Sequence, residues 1–181
     1  MINREEAFVL IRRYIKDPEL LRNSLSVETL LRELAKKLQK DEELWGLVGL
    51  LHNLDYQYTS QEPAKRGSLS AQILEGLLPE NGINAIKANN YMYTGRIPTT
   101  SLDKSLIAAD AAAGLIFATA RTMPSRKITE VDIKNLISKF NDSNFATGFN
   151  RSKIKLCIDI GIDIEVFLAL CLDALKNLLE D

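Results

Sequence analysis

Apolar residues recur at three- and four-residue intervals along almost the whole chain, and this spacing constrains the fold more than any other feature. An α-helix turns once every 3.6 residues, so positions spaced this way share one face, and that face must be covered. Residues 4–16 carry Phe8, Ile11 and Ile15 on one side. Asp17 is placed to cap, and Pro18 to open, a second helix bearing Leu25, Leu30, Leu31, Leu34 and Leu38. Asp41 is placed to cap a third helix whose run ELWGLVGLLHNLDY is apolar almost all round, the pattern of a central, buried helix. Another is expected from Ser70 to Leu78, closed by Pro79, and another from Ile83 to Tyr93, broken by Gly95 and Pro98. Ser101 would cap the alanine-rich run LDKSLIAADAAAGLIFATA, which Pro124 ends. Thr129 and Asp132 resemble a capping box opening a helix through Phe140, and a last helix runs from about Asp163 to Leu179.

One segment conflicts with this pattern. In CIDIGIDIEV the apolar residues alternate as in a strand. A lone strand has nothing to pair with here, so the segment is read as a helix end, a turn at Gly161 and a helix start. No linker, internal repeat or low-complexity tract interrupts residues 1–181, and the expectation is an all-α helical bundle forming one domain.

Composition excludes several classes. Hydrophobic residues make up 46% and charged residues 26%, a globular rather than a disordered profile. Lys and Arg total 23 against 24 Asp and Glu, with no basic stripe, so nucleic acid is not expected as a partner. No stretch approaches the roughly 20 apolar residues of a membrane span, and MINREEAF has no signal-peptide character, so a cytoplasmic protein without membrane contact is expected. Cys157 and Cys171 read as two buried, reduced thiols rather than a disulfide or a thiolate metal site. No GxGxxG or GxxxxGK[ST] loop is present, and Gly95–Arg96 in MYTGRIPTTS reads as an ordinary turn.

The chain has one histidine, His52, followed by Asn53 and then Asp55. By itself, a histidine at a helix end is a packed residue or a cap favoured by the helix dipole. Its surroundings carry more. The run DEELWGLVGLLHNLDY resembles the signature helix of the HD-domain family of metal-dependent phosphohydrolases, in its small bacterial and archaeal branch, where the run ends in an adjacent His-Asp pair. NSLSVETLLRELAKKL, RGSLSAQIL, IKANN, SLIAADAAAG and NFATGFNRSKI fit the same pattern in order, so the resemblance covers essentially the whole chain.

That resemblance implies an HD-type bundle and a set of metal-ligand positions. Its early histidine falls on Asn23, its His-Asp pair on His52 and Asn53, its next histidine on Arg66, another on Asn89, and its distal aspartate on Asp110. His52 and Asp110 are therefore remnants of a metal site, and Asn23, Asn53, Arg66 and Asn89 line the pocket around them. A neutral amide is a poorer ligand for a divalent cation than imidazole or carboxylate, and a guanidinium has no lone pair to give. Without the cation, nothing else here polarises a phosphoryl oxygen or acidifies an attacking water to a comparable degree.

The expectation is a catalytically inactive binding or structural module that needs no cofactor. Its partner would be a small phosphate-bearing ligand or another protein, with Arg66 and Lys65 or Arg96 expected near the mouth. Arg66 is expected to replace part of the missing metal charge by pairing with Asp110 or Asp55, since an unpaired buried Asp110 would tend to protonate. The alternative is an active phosphohydrolase on a nucleotide or other phosphomonoester. It would use a rearranged His52, Asp55 and Asp110 site, with Asp55 catalytic and Mn, Co, Ni, Mg or Fe bound with help from Asn23 or Asn53.

Overall fold

Helix α1 (Arg4–Tyr14) begins at a capping box in which the Asn3 side chain accepts from the Glu6 N–H while Glu6 accepts from the Asn3 N–H. The structure, a computed structural model, describes residues 1–147 and 150–180. α2 (Pro18–Leu38) starts as its sequence dictates, with Asp17 accepting from the Glu19 N–H and Pro18 in the first turn. α3 (Glu42–Leu51) is capped by Asp41, whose side chain accepts from the Leu44 N–H, and every residue from Leu44 to Leu51 is buried. It ends earlier than expected: His52 is its C-cap, and residues 53–59 form successive turns.

α2 packs most extensively on α3, and both rest on α7 (Ser101–Ala120). The α2–α3 crossing is close because Gly49 has no side chain. A Cβ there would sit 2.7 Å from the Val27 carbonyl oxygen and 2.8 Å from the Glu28 Cα. Backbone atoms cannot step aside as a side-chain tip can, so even alanine would push the helices apart. The tight crossing brings Asn23, on α2, alongside the end of α3 where His52 and Asn53 lie.

Several boundaries differ from the sequence expectation, and each has a local cause. The helix expected over Ser70–Leu78 is α4 (Ser68–Ile73), which begins after Gly67 at φ 84° and gives way to turns before Pro79. The segment expected as one helix from Ile83 divides into α5 (Glu80–Asn89) and α6 (Tyr91–Thr94), because Asn90 leaves helical geometry at ψ 42°. Thr100, not Ser101, caps α7, in a capping box with Asp103. Asp132 alone caps α8 (Ile133–Asn141), while Thr129 belongs to a short 3₁₀ turn. α9 (Arg151–Lys155) follows. The alternating CIDIGIDIEV segment is a 3₁₀ turn, a left-handed Gly161 at φ 81°, and the start of α10 (Ile164–Glu180).

The described residues are all-α, with no strand. No helix among them is long and apolar enough to cross a membrane. Both cysteines are free and buried, and burial pushes the Cys157 thiol up to about 11. α5 and α9 pack on α7 around Asp110, which completes the walls of a pocket at one end of the bundle.

Candidate functional site

Six positions scattered over 88 residues of sequence, from Asn23 to Asp110, converge at this end of the bundle. His52 is held by its place at the end of α3. Its Nδ1 lies 2.7 Å from the Gly49 carbonyl oxygen. A carbonyl only accepts, so Nδ1 carries the proton and Nε2 is the atom left to face the pocket. That Nε2 is buried without a hydrogen-bond partner and lies 3.6 Å from Asp110 Oδ1.

Around this pair runs a chain of amides. Asn53 Nδ2 donates to Asn23 Oδ1 at 2.8 Å, and Asn23 Nδ2 donates in turn to Asp110 Oδ1 at 3.4 Å. Asn89, near the end of α5, donates from Nδ2 to Asp110 Oδ2 at 3.4 Å. Each carboxylate oxygen thus faces an amide N–H. Burial disfavours the charged carboxylate, but the imidazole of His52, the Asn89 donor and the nearby Lys153 outweigh it and hold Asp110 down to about 2. The tendency of an unpaired, buried Asp110 to protonate is therefore opposed by these surroundings.

Arg66 does not pair with Asp110 or Asp55. Its guanidinium lies 3.9 Å from the centre of the Tyr56 ring, a cation–π contact, and its Nε is buried with no partner. The Arg66 carbonyl accepts from Asn90 Nδ2 at 2.9 Å, which fixes the loop between α3 and α4 against α5. The expectation of an ion pair fails because Tyr56, in the turns after α3, offers a flat face to the planar guanidinium. Arg66 still lines the inner cavity, so its charge reaches the pocket without a bond to either aspartate.

Asp55 has another task. Its Oδ2 accepts from the backbone N–H groups of Gly67 at 2.7 Å and Ser70 at 2.8 Å, while its own N–H donates to Ser70 Oγ at 3.0 Å. It is fully buried and binds the first turn of α4 to the end of α3. The alternative grouping of His52, Asp55 and Asp110 is not assembled: among the described residues, no three His, Cys, Asp or Glu side chains converge as a group able to hold a metal ion.

The inner cavity, of about 80 Å³, is bounded chiefly by His52, Asn53, Arg66, Asn89, Asp110 and Lys153. It adjoins an outer cavity of about 620 Å³ whose wall includes Arg22, Asn23, Asn53, Asp110, Arg121 and Lys153. Lys153 and Arg22 were not singled out from the sequence. The signal was there for Lys153, which lies in the NFATGFNRSKI segment, and Arg22 is the immediate neighbour of Asn23. Residues 148 and 149 of that segment lie outside the described residues. Lys65, by contrast, is exposed and paired with Glu62 at 2.6 Å, and neither it nor Arg96 lines these cavities.

The described residues form an all-α bundle with a polar pocket walled by the ends of α3 and α5 and the middle of α7. A family model described as HD domain matches residues 20–115, more than half of the 181-residue chain, and the chain belongs to the HD-domain family. That span contains all six pocket positions. No curated protein matches the chain, and no solved structure does.

Proposed function

We propose that this chain is a non-hydrolytic HD-domain protein whose pocket binds a small phosphate-bearing ligand without cleaving it. The reading is carried by the amides of Asn23 and Asn89, whose N–H groups face the oxygens of Asp110 where the family pattern has metal-ligating histidines. The donor set does not fit a divalent cation. One imidazole and one carboxylate are too few, an amide N–H turned toward the carboxylate competes with a metal for its lone pairs, and Arg66 and Lys153 set two permanent positive charges in the cavity wall. Hydrolysis through His52, Asp55 and Asp110 would require Asp55 to leave two buried N–H groups without an acceptor.

Those same charges favour an anion. A cavity of about 80 Å³ compares with roughly 30 Å³ for one water in the liquid, so it has room for one small tetrahedral group. Arg66 and Lys153 offer donors, and Asn53 fixes the orientation of Asn23.

Elemental analysis of protein purified without chelator, with a phosphomonoesterase panel in Mn, Co, Ni and Mg, tests the inactive half of this reading. No stoichiometric metal and no turnover above background are expected. Metal at about one per chain with turnover abolished by Asp110→Ala would overturn it and restore the hydrolase reading. Calorimetry with orthophosphate tests the binding half, and Lys153→Gln should weaken the heat signal.

A further inference from the structure

Beyond the inner pocket the bundle carries a longer groove. Its near half is the outer cavity, which runs from Asp110 and Lys153 past Arg22 to Arg121. Its far half, about 700 Å³, continues from Arg22 and Arg121 to Arg126 and Lys127. Arg22, Phe117 and Arg121 belong to both walls, so the two halves are one track.

The balance of charge along that track is one-sided. Three carboxylates also line it, and each is engaged. Asp17 accepts from the Glu19 N–H, Glu19 lies 2.5 Å from Arg22 and 3.6 Å from Arg121, and Asp110 faces its two amides. Among the described residues, Arg126, Lys127 and Lys153 have no carboxylate within 4 Å. The Nε–H of Arg22, whose guanidinium lies 4.4 Å from the Phe117 ring centre, is buried with no acceptor. Arg126 lies at φ 58°, a left-handed conformation where glycine is the low-energy residue, and its side chain is exposed. Five cations, Arg22, Arg121, Arg126, Lys127 and Lys153, against three carboxylates leave the channel with a positive excess, which raises its potential and favours an anion as long as the channel.

We propose that the groove binds an extended phosphate chain, with one end at Lys153 and the other at Arg126 and Lys127. The proposal rests on the reading of the inner pocket as a phosphate site, and it adds the ligand class: a polyphosphate, free or ester-linked, rather than a single phosphate. Guanidinium groups match phosphate oxygens as forks, and Arg22 and Arg121 stand midway along the chain's path.

Calorimetry on the full chain, at fixed ionic strength and without divalent cations, would compare orthophosphate, pyrophosphate and tripolyphosphate. Tripolyphosphate should bind at least about tenfold more tightly than orthophosphate, the gain of one further charge-assisted contact. Arg126→Gln with Lys127→Gln should erase that gain and leave orthophosphate binding within about twofold of wild type. Lys36→Gln with Lys37→Gln, an equal change of net charge in the last turn of α2, should alter neither. Tripolyphosphate binding no tighter than orthophosphate would overturn the proposal while leaving the pocket reading intact. So would a gain that survives in the Arg126–Lys127 variant, or one that is lost equally in the Lys36–Lys37 variant. Wild-type protein that takes up none of the three overturns the pocket reading as well.

Discussion

Asp55 follows His52 by three residues and Asp110 faces His52 across the pocket, and the two carry the same group, yet the fold uses them in opposite ways. Asp55 is fully buried, and one of its oxygens takes two backbone N–H groups. Backbone donors fixed in a turn cannot move away, so Asp55 is part of the architecture. Asp110 is partly open, its side chain 29% exposed, and its partners are side chains: two amides and an imidazole. Side-chain partners can rotate and exchange, so the surroundings of Asp110 can change where those of Asp55 cannot. What separates the two carboxylates is the mobility of their donors more than their burial.

The sharpest way to break this contrast is to remove Asp55. Asp55→Ala should destabilise the protein by about 3 kcal/mol, since two buried N–H groups lose a charged acceptor. Asp55→Asn should recover part of that loss, because an amide oxygen still accepts. Urea unfolding monitored by circular dichroism would measure both. A loss below about 1 kcal/mol for the alanine variant would mean the turn finds other acceptors and the contrast is false.

Asp110 should show its character through pH. Its folded value of about 2 lies below its ordinary value, so its contribution to stability is present above the unfolded value and is lost as pH falls through the folded one. The difference in unfolding free energy between wild type and Asp110→Asn should therefore shrink by at most about 2 kcal/mol as pH falls from about 5 to about 2. A difference independent of pH over that window would contradict the site geometry. Asn89→Ala should have a smaller effect, raising the Asp110 value by removing one donor, and carboxyl NMR titration would detect it. The smallest effect is expected from Arg66→Ala. Losing a half-buried cation–π contact with Tyr56 should cost no more than about 1 kcal/mol, while orthophosphate binding falls.

The helices were legible where a single residue carries the signal. Asp17 with Pro18, Asp41 and Asp132 cap the helices they precede, because a short acidic side chain reaches the free N–H groups of a first turn in any context. Boundaries were less legible where neighbours compete for the same role. Thr100 and Ser101 are both plausible caps, and only the reciprocal bond with Asp103 selects Thr100. The division at Asn90 was hidden because its side chain reaches across to the Pro63 and Arg66 carbonyls, partners 27 and 24 residues away.

For the pocket, the sequence alone determined which residue types stand at the six positions, and so the shortage of lone-pair donors, since ligand chemistry belongs to the side chain itself. The tertiary structure alone decided what each group faces. It set Arg66 on Tyr56 rather than on an aspartate, turned Asp55 toward Gly67 and Ser70, and brought Lys153 and Arg22 to the cavity wall. Direction and distance depend on how α2, α3, α5 and α7 pack together, and no local pattern of residues encodes a contact between side chains many turns apart.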